Sequence, residues 1–144
     1  TLDFGCLYDH YVSDMTRTIY AGHVSDKERE IYETVLKANQ ALIAAAKDGL
    51  GFRDFDKIPR DVIEAAGYGQ YFTHGIGHGI GLDIHEEPYF NQMSKEVIKA
   101  GMVLTDEPGI YIEGLSGVRI EDDLLITETG CEVLTLAPKE LIVL

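Results

Sequence analysis

Thr73-His74-Gly75-Ile76-Gly77-His78-Gly79-Ile80-Gly81-Leu82-Asp83-Ile84-His85 is the stretch whose reading decides what this chain folds into. Glycine occupies 75, 77, 79 and 81. In an extended segment that alternation strips one face of side chains and lets another backbone or a ligand come close. Even spacing sets His74 and His78 together on the opposite face. A lone histidine is more often structural than a ligand, but here His74, His78 and His85 lie within 12 residues beside the glycine run. The run superficially resembles a phosphate-binding loop. It lacks the lysine and the strand-turn-helix frame of a P-loop or dinucleotide fold, so that reading is rejected.

Acid pairs flank this segment on both sides. Upstream, residues 1–8 and 11–20 read as a hairpin joined around Tyr8-Asp9-His10. A turn centred between Tyr8 and Asp9 sets Asp3 opposite Asp14, and a slip of a residue still leaves the carboxylates close. Downstream, residues 102–112 and 118–127 read as a second hairpin around Glu113-Gly114-Leu115-Ser116-Gly117, with Glu107 and Glu121 symmetric about residue 114. Like charges directly across a strand pair are destabilising. Either pair alone reads as well as a polar surface ladder; two pairs in two hairpins do not.

Four carboxylates sharing a small volume need cations, because like charges at close range oppose ionisation. Two divalent ions match four carboxylates, and the imidazole of His78 fills a further ligand position. Such an oxygen-rich set suits Mn²⁺, with Co²⁺ or Zn²⁺ as other occupants. The absence of cysteine from the cluster disfavours a structural zinc site, and the spacing excludes an EF-hand. Ser13 and Ser116 have no evident base and orienting acid, which disfavours a serine nucleophile.

Between the hairpins, Ser25 and Glu28 form a capping box that opens a helix. Ile31, Val35, Ala38, Leu42 and Ala45 recur at helical spacing, and the helix should end by Gly49. A shorter helix fits Pro59 to Ala66, with Ile58, Val62 and Ile63 inward and Gly67 as its stop. A last strand fits residues 132–136. The 144 residues, 45% hydrophobic and 26% charged, have the profile of one soluble globular domain. A net charge of −13 argues against nucleic acid or an anionic membrane as partner. No apolar run approaches the length of a membrane span, and Cys6 and Cys131 read as reduced thiols of a cytoplasmic protein. The chain opens directly in strand, without an initiator Met, which suggests the C-terminal piece of something longer.

The blocks Asp3-Phe4-Gly5, SDMTRT (13–18), HGIGHGIGLDIHEEP (74–88), TDEPGIYI (105–112) and GVRIEDD (117–123) resemble the pita-bread metallopeptidases. Within that family they are most similar to the proline-specific branch, the Xaa-Pro dipeptidases and Xaa-Pro aminopeptidases. The resemblance implies an α+β fold, part of the pita-bread (creatinase/aminopeptidase) architecture, with an antiparallel curved sheet and helices on its outer face. Residues 1–144 would be the C-terminal part of a single catalytic domain, without its first portion or an N-terminal domain. It also implies roles. Asp3 would bind one metal, Asp14 and Glu121 would bridge two, and His78 and Glu107 would complete the second.

By the same resemblance, Glu107 would shuttle protons, His74 and His85 would contact substrate or stabilise the oxyanion, and Arg119 would sit beside the site with Tyr111 near it. The implied reaction is hydrolysis of the peptide bond preceding proline by a hydroxide formed between two divalent ions, most readily Mn²⁺, in a cytoplasmic homodimer. Methionine aminopeptidase is the alternative of the same fold. Its members usually lack an arginine two residues before the last glutamate, where this chain has Arg119. A metal-free binding-module relative is the other alternative; such relatives usually lose ligands, and all five are present here.

Overall fold

The computed structural model describes residues 1–90 and 95–144. The first hairpin is β1 (Leu2–Tyr8) and β2 (Tyr11–Arg17), followed by the short β3 (Ile19–Tyr20). Its turn is Asp9-His10, both with positive φ, so Asp3 faces Thr16 and Gly5 faces Asp14. Asp3 and Asp14 are therefore not directly opposite, as the symmetric turn predicts, but diagonal. A two-residue turn of left-handed residues matches the twist of a hairpin and moves the centre by one position. That shift changes pairing sums by two, so both acids keep one face.

α1 (Asp26–Ala45) starts at the expected capping box: Ser25 accepts from the backbone of Glu28, whose carboxylate accepts from Ser25. Ile31, Val35, Ala38 and Leu42 line its buried face. α2 (Phe52–Ala65) begins seven residues before the expected Pro59. Proline is common at the start of a helix, but here Pro59 lies within one, on a face it shares with buried Phe52, Phe55 and Ile63. Burial of the two phenylalanines, which pack on Phe90 with ring centroids 5.4 and 4.5 Å away, outweighs the missing proline donor.

A single 3₁₀ turn (Gly69–Tyr71) leads into the glycine run, which forms β4 (His78–Gly79) and then β5 (Glu86–Tyr89). β6 (Val103–Asp106), β7 (Gly109–Ile112), β8 (Ser116–Arg119) and β9 (Asp122–Ile126) make one long interrupted hairpin. All its pairs, from Leu104 with Leu124 to Ile112 with Ser116, centre on residue 114 as expected. β10 (Cys131–Val133) is shorter than the expected strand, and β11 (Ile142–Val143), not foreseen, pairs in parallel with β3.

Five strands form an antiparallel sheet in the order β10-β9-β6-β4-β5. α1 packs against β6, β7, β8 and β10, α2 packs on α1, and Leu104, Ile110, Val118, Ile120 and Leu124 are fully buried in the core they share. The glycine alternation does what its pattern predicts at two positions. A Cβ on Gly77 would strike the Thr105 carbonyl and one on Gly79 the Glu87 carbonyl, so the neighbouring strands can close only around glycine. At Gly75 the space is open. Among the described residues no helix is long and apolar enough to cross a membrane.

Candidate metal centre

Three elements meet at the site. β2 brings Asp14, β4 brings His78, and the interruption of the long hairpin brings Glu107 and Glu121. That interruption is where both strands leave their own ladder. The Glu107 amide donates to the Ile76 carbonyl at 2.9 Å and the Glu121 amide donates to the Thr16 carbonyl at 3.0 Å. β2 and the glycine segment are thereby stitched to the two glutamates.

Ligand-capable atoms of Asp14, His78 and Glu121 all lie within 4.8 Å of one another, and the three residues are buried. His78 Nε2 stands 3.5 Å from Glu107 Oε1 and 4.0 Å from Asp14 Oδ2. His78 Nδ1 lies 3.0 Å from the Gly79 carbonyl, which can only accept, so the proton sits on Nδ1 and the Nε2 lone pair faces the carboxylates. Burial holds the His78 pKa below its ordinary value, which keeps that lone pair available.

The carboxyls respond in the opposite direction. Burial, then the charge of Glu107, pushes Glu121 up to about 8. Burial pushes Glu107 up to about 7, against the pull of Arg119. Asp14 is also raised, by burial first and by Asp3 second. Carboxyls at such values are short of positive charge, and an oxygen-rich set with one imidazole is the donor chemistry of a divalent cation. The residues present therefore fit divalent metal ions.

Asp3 is placed differently. It is on the same face of the hairpin but exposed, and its carboxylate is paired with the Arg119 guanidinium. Arg119 also donates to the Tyr111 hydroxyl at 3.1 Å and to Thr16 Oγ1 at 3.1 Å. His74 Nε2 is 2.8 Å from the Tyr111 hydroxyl, while its Nδ1 is 2.7 Å from the Gly75 carbonyl. Nδ1 therefore donates, and Nε2 accepts a hydrogen bond from the Tyr111 hydroxyl. His85, exposed, sets its ring edge-on to His78 with centroids 4.2 Å apart. His74, His78, His85, Glu107 and Arg119 line one shallow pocket of about 370 Å³. A larger cavity, about 860 Å³, is mainly apolar and touches only Asp14 of the expected ligands, so its size does not make it the chemical site.

Several partners escape the sequence reading. Thr16 Oγ1 donates to Glu121, and Thr105 Oγ1 donates to Glu107 at 3.2 Å while accepting from the His78 amide at 3.0 Å. Strand periodicity could have found both, since they lie two residues from Asp14 and Glu107. No such signal marks Asp56 and Arg60. Asp56 accepts from the Ile76 amide, and Arg60 donates to the carbonyls of Phe72 and His74, so α2 fixes the approach to the glycine run.

Residues 1–128 match the model of metallopeptidase family M24. The chain is 52% identical to an Xaa-Pro dipeptidase of Pyrococcus furiosus, over 98% of this chain and 40% of that relative. An Xaa-Pro dipeptidase structure from Bacillus anthracis is similar with a TM-score of 0.97 at 53% identity, over 99% of this chain and 40% of the other. An X-Pro aminopeptidase structure from Thermotoga maritima is similar with a TM-score of 0.94 at 40% identity, again over 99% and 40%. The chain spans about 40% of the length of these relatives.

Proposed function

This chain belongs to metallopeptidase family M24 and shares the pita-bread fold of its relatives, and on that premise we propose that it carries the metal-binding part of an enzyme hydrolysing the peptide bond before proline. The observation that carries the reading is the convergence of Asp14, His78 and Glu121 with Glu107 beside them. The similarity to Xaa-Pro dipeptidases supports the substrate class, a proline-containing dipeptide or peptide N-terminus. Residues 1–144 are taken as the C-terminal part of one catalytic domain, in keeping with the 40% coverage. The intact enzyme is taken to be a cytoplasmic homodimer.

Asp3, Asp14, His78, Glu107 and Glu121 are the residues we assign to hold two divalent ions, with Mn²⁺ as the preferred ion. Asp3, paired with Arg119 here, would have to give up that partner to take part. Bound ions would supply the positive charge that acidifies a water and polarises the scissile carbonyl. Glu107 takes the water's proton on a carboxylate oxygen and returns it to the proline nitrogen, which must be protonated to leave. His85 and His74 face the pocket where the oxyanion develops, and the Tyr111–Arg119 chain fixes the His74 ring.

The test is a substrate series on the intact protein with added Mn²⁺: Xaa-Pro, Xaa-Pro-Xaa and Met-Ala peptides. Cleavage confined to the proline substrates is the expected result, and the preferred length separates dipeptidase from aminopeptidase. Preference for Met-Ala would overturn the proline assignment. Fewer than about one divalent ion per purified chain would overturn the metal centre.

A further inference from the structure

Strand alternation turns Glu121 toward the site and Asp122 away from it, and likewise Glu107 and Asp106. The residues that turn away do not enter apolar surroundings. Asp106 and Asp122 are fully buried, and Asn39 of α1 donates to both, at 3.1 and 2.9 Å. Two cations reach the same place: Arg17 from β2 and Lys139 from the segment before β11.

A guanidinium has five N–H donors, and Arg17 uses each of them. Nε donates to the Pro138 carbonyl at 3.0 Å. Nη1 donates to the carbonyls of Thr16 at 2.9 Å and Glu121 at 2.6 Å. Nη2 donates to Asp122 Oδ1 at 2.7 Å and the Ala137 carbonyl at 2.9 Å. Lys139 Nζ closes the network on Asp122 Oδ2 at 2.8 Å and Asn39 Oδ1 at 3.0 Å.

Buried ion clusters add little net stability over apolar packing, because desolvation offsets most of the Coulomb attraction. Their specific product is direction. Glu121 is gripped at three points: its amide by the Thr16 carbonyl, its carbonyl by Arg17, and its carboxylate by Thr16 Oγ1. Two of these involve the residue beside Arg17, and the third is Arg17 itself. We infer that Arg17, Asp122, Asn39 and Lys139 form a positioning network behind the proposed metal ligands, through which the segment 137–139 sets the geometry of Glu121 and the affinity for divalent ions. This rests on the metallopeptidase reading above.

Lys139 is the position to test, because loss of Arg17 strands several buried carbonyls and endangers folding. Mn²⁺ alone is titrated calorimetrically into the metal-free intact protein, unmodified and as Lys139→Met and Lys139→Arg, with thermal unfolding of each metal-free sample recorded alongside. Lys139→Met is expected to weaken Mn²⁺ binding about 10- to 100-fold, the usual effect of removing support behind a metal ligand, and Lys139→Arg to restore most of it. Should Lys139→Met not fold, Lys139→Gln, which keeps a neutral donor, takes its place with the same two outcomes. Unchanged Mn²⁺ affinity, even with a lower unfolding temperature, means the network is structural only and overturns the inference. If the unmodified protein takes up none of Mn²⁺, Co²⁺ and Zn²⁺, the metal-centre reading fails, and the inference falls with it.

Discussion

The first hairpin, β1 with β2, and the second, β6–β7 with β8–β9, each present two acids on one face, yet β1 lies open while β2 and the second hairpin are largely buried. Every residue of β1 is exposed, Leu7 at 70%. In the second hairpin Leu104, Ile110, Val118 and Leu124 are inaccessible, because their side chains meet the helices. The consequence is chemical. Asp3 is left to solvent and Arg119, whereas burial raises Asp14 diagonally across from it and drives Glu107 and Glu121 up to about 7 and about 8. The same pair of carboxylates becomes a demand for positive charge only where burial removes water as the alternative.

The largest expected effect is on chemistry in the second hairpin. Glu107→Gln in the intact protein should lower kcat for an Xaa-Pro substrate by about 10²–10⁴-fold, the range for a lost proton-transfer group. A loss of less than tenfold in steady-state assays would remove Glu107 from that role.

Packing should divide the hairpins next. Ile110→Ala is expected to destabilise by about 2–5 kcal/mol in denaturant unfolding, as a fully buried side chain does. Leu7→Ala should stay within about 0.5 kcal/mol. If both cost alike, β1 is covered in the intact protein and the contrast holds for residues 1–144 alone.

A smaller effect is the pH dependence of the metal-free protein. Glu121 ordinarily titrates at 4.5 and in the folded chain at about 8, so the folded state holds the extra proton between those values. Its stabilising contribution is present below pH 4.5 and is lost as pH rises toward 8. Glu107 acts in the same direction, up to about 7. His78, lowered by burial, acts oppositely below its ordinary 6.5, which leaves pH 6.5–8 as the clean window. Thermal unfolding should fall across that window without metal, and added Mn²⁺ should raise it more at pH 8 than at pH 6.5. A flat metal-free profile would show that burial does not raise Glu107 and Glu121 above the exposed acids of β1.

Much of this arrangement is legible in the residues. The centre of the second hairpin at Gly114, the capping box at Ser25, and the close approaches at Gly77 and Gly79 follow from local patterns of turn, cap and side-chain size. The first hairpin's register is less legible, because a polar Tyr8-Asp9-His10 stretch offers two turn centres of similar merit. The start of α2 misleads because proline at 59 signals a helix opening more strongly than two phenylalanines upstream signal its interior.

By itself the sequence determined which acids and histidines lie on shared faces, since strand period and hairpin symmetry are local properties of the chain. Which of them meet depends on how distant segments pack. That packing drew Glu121 to Asp14 and His78, gave Asp3 to Arg119, and set Arg17 and Lys139 around Asp122 behind them. Those partners are separated by up to 116 residues, and no local spacing records a contact made by packing one segment on another.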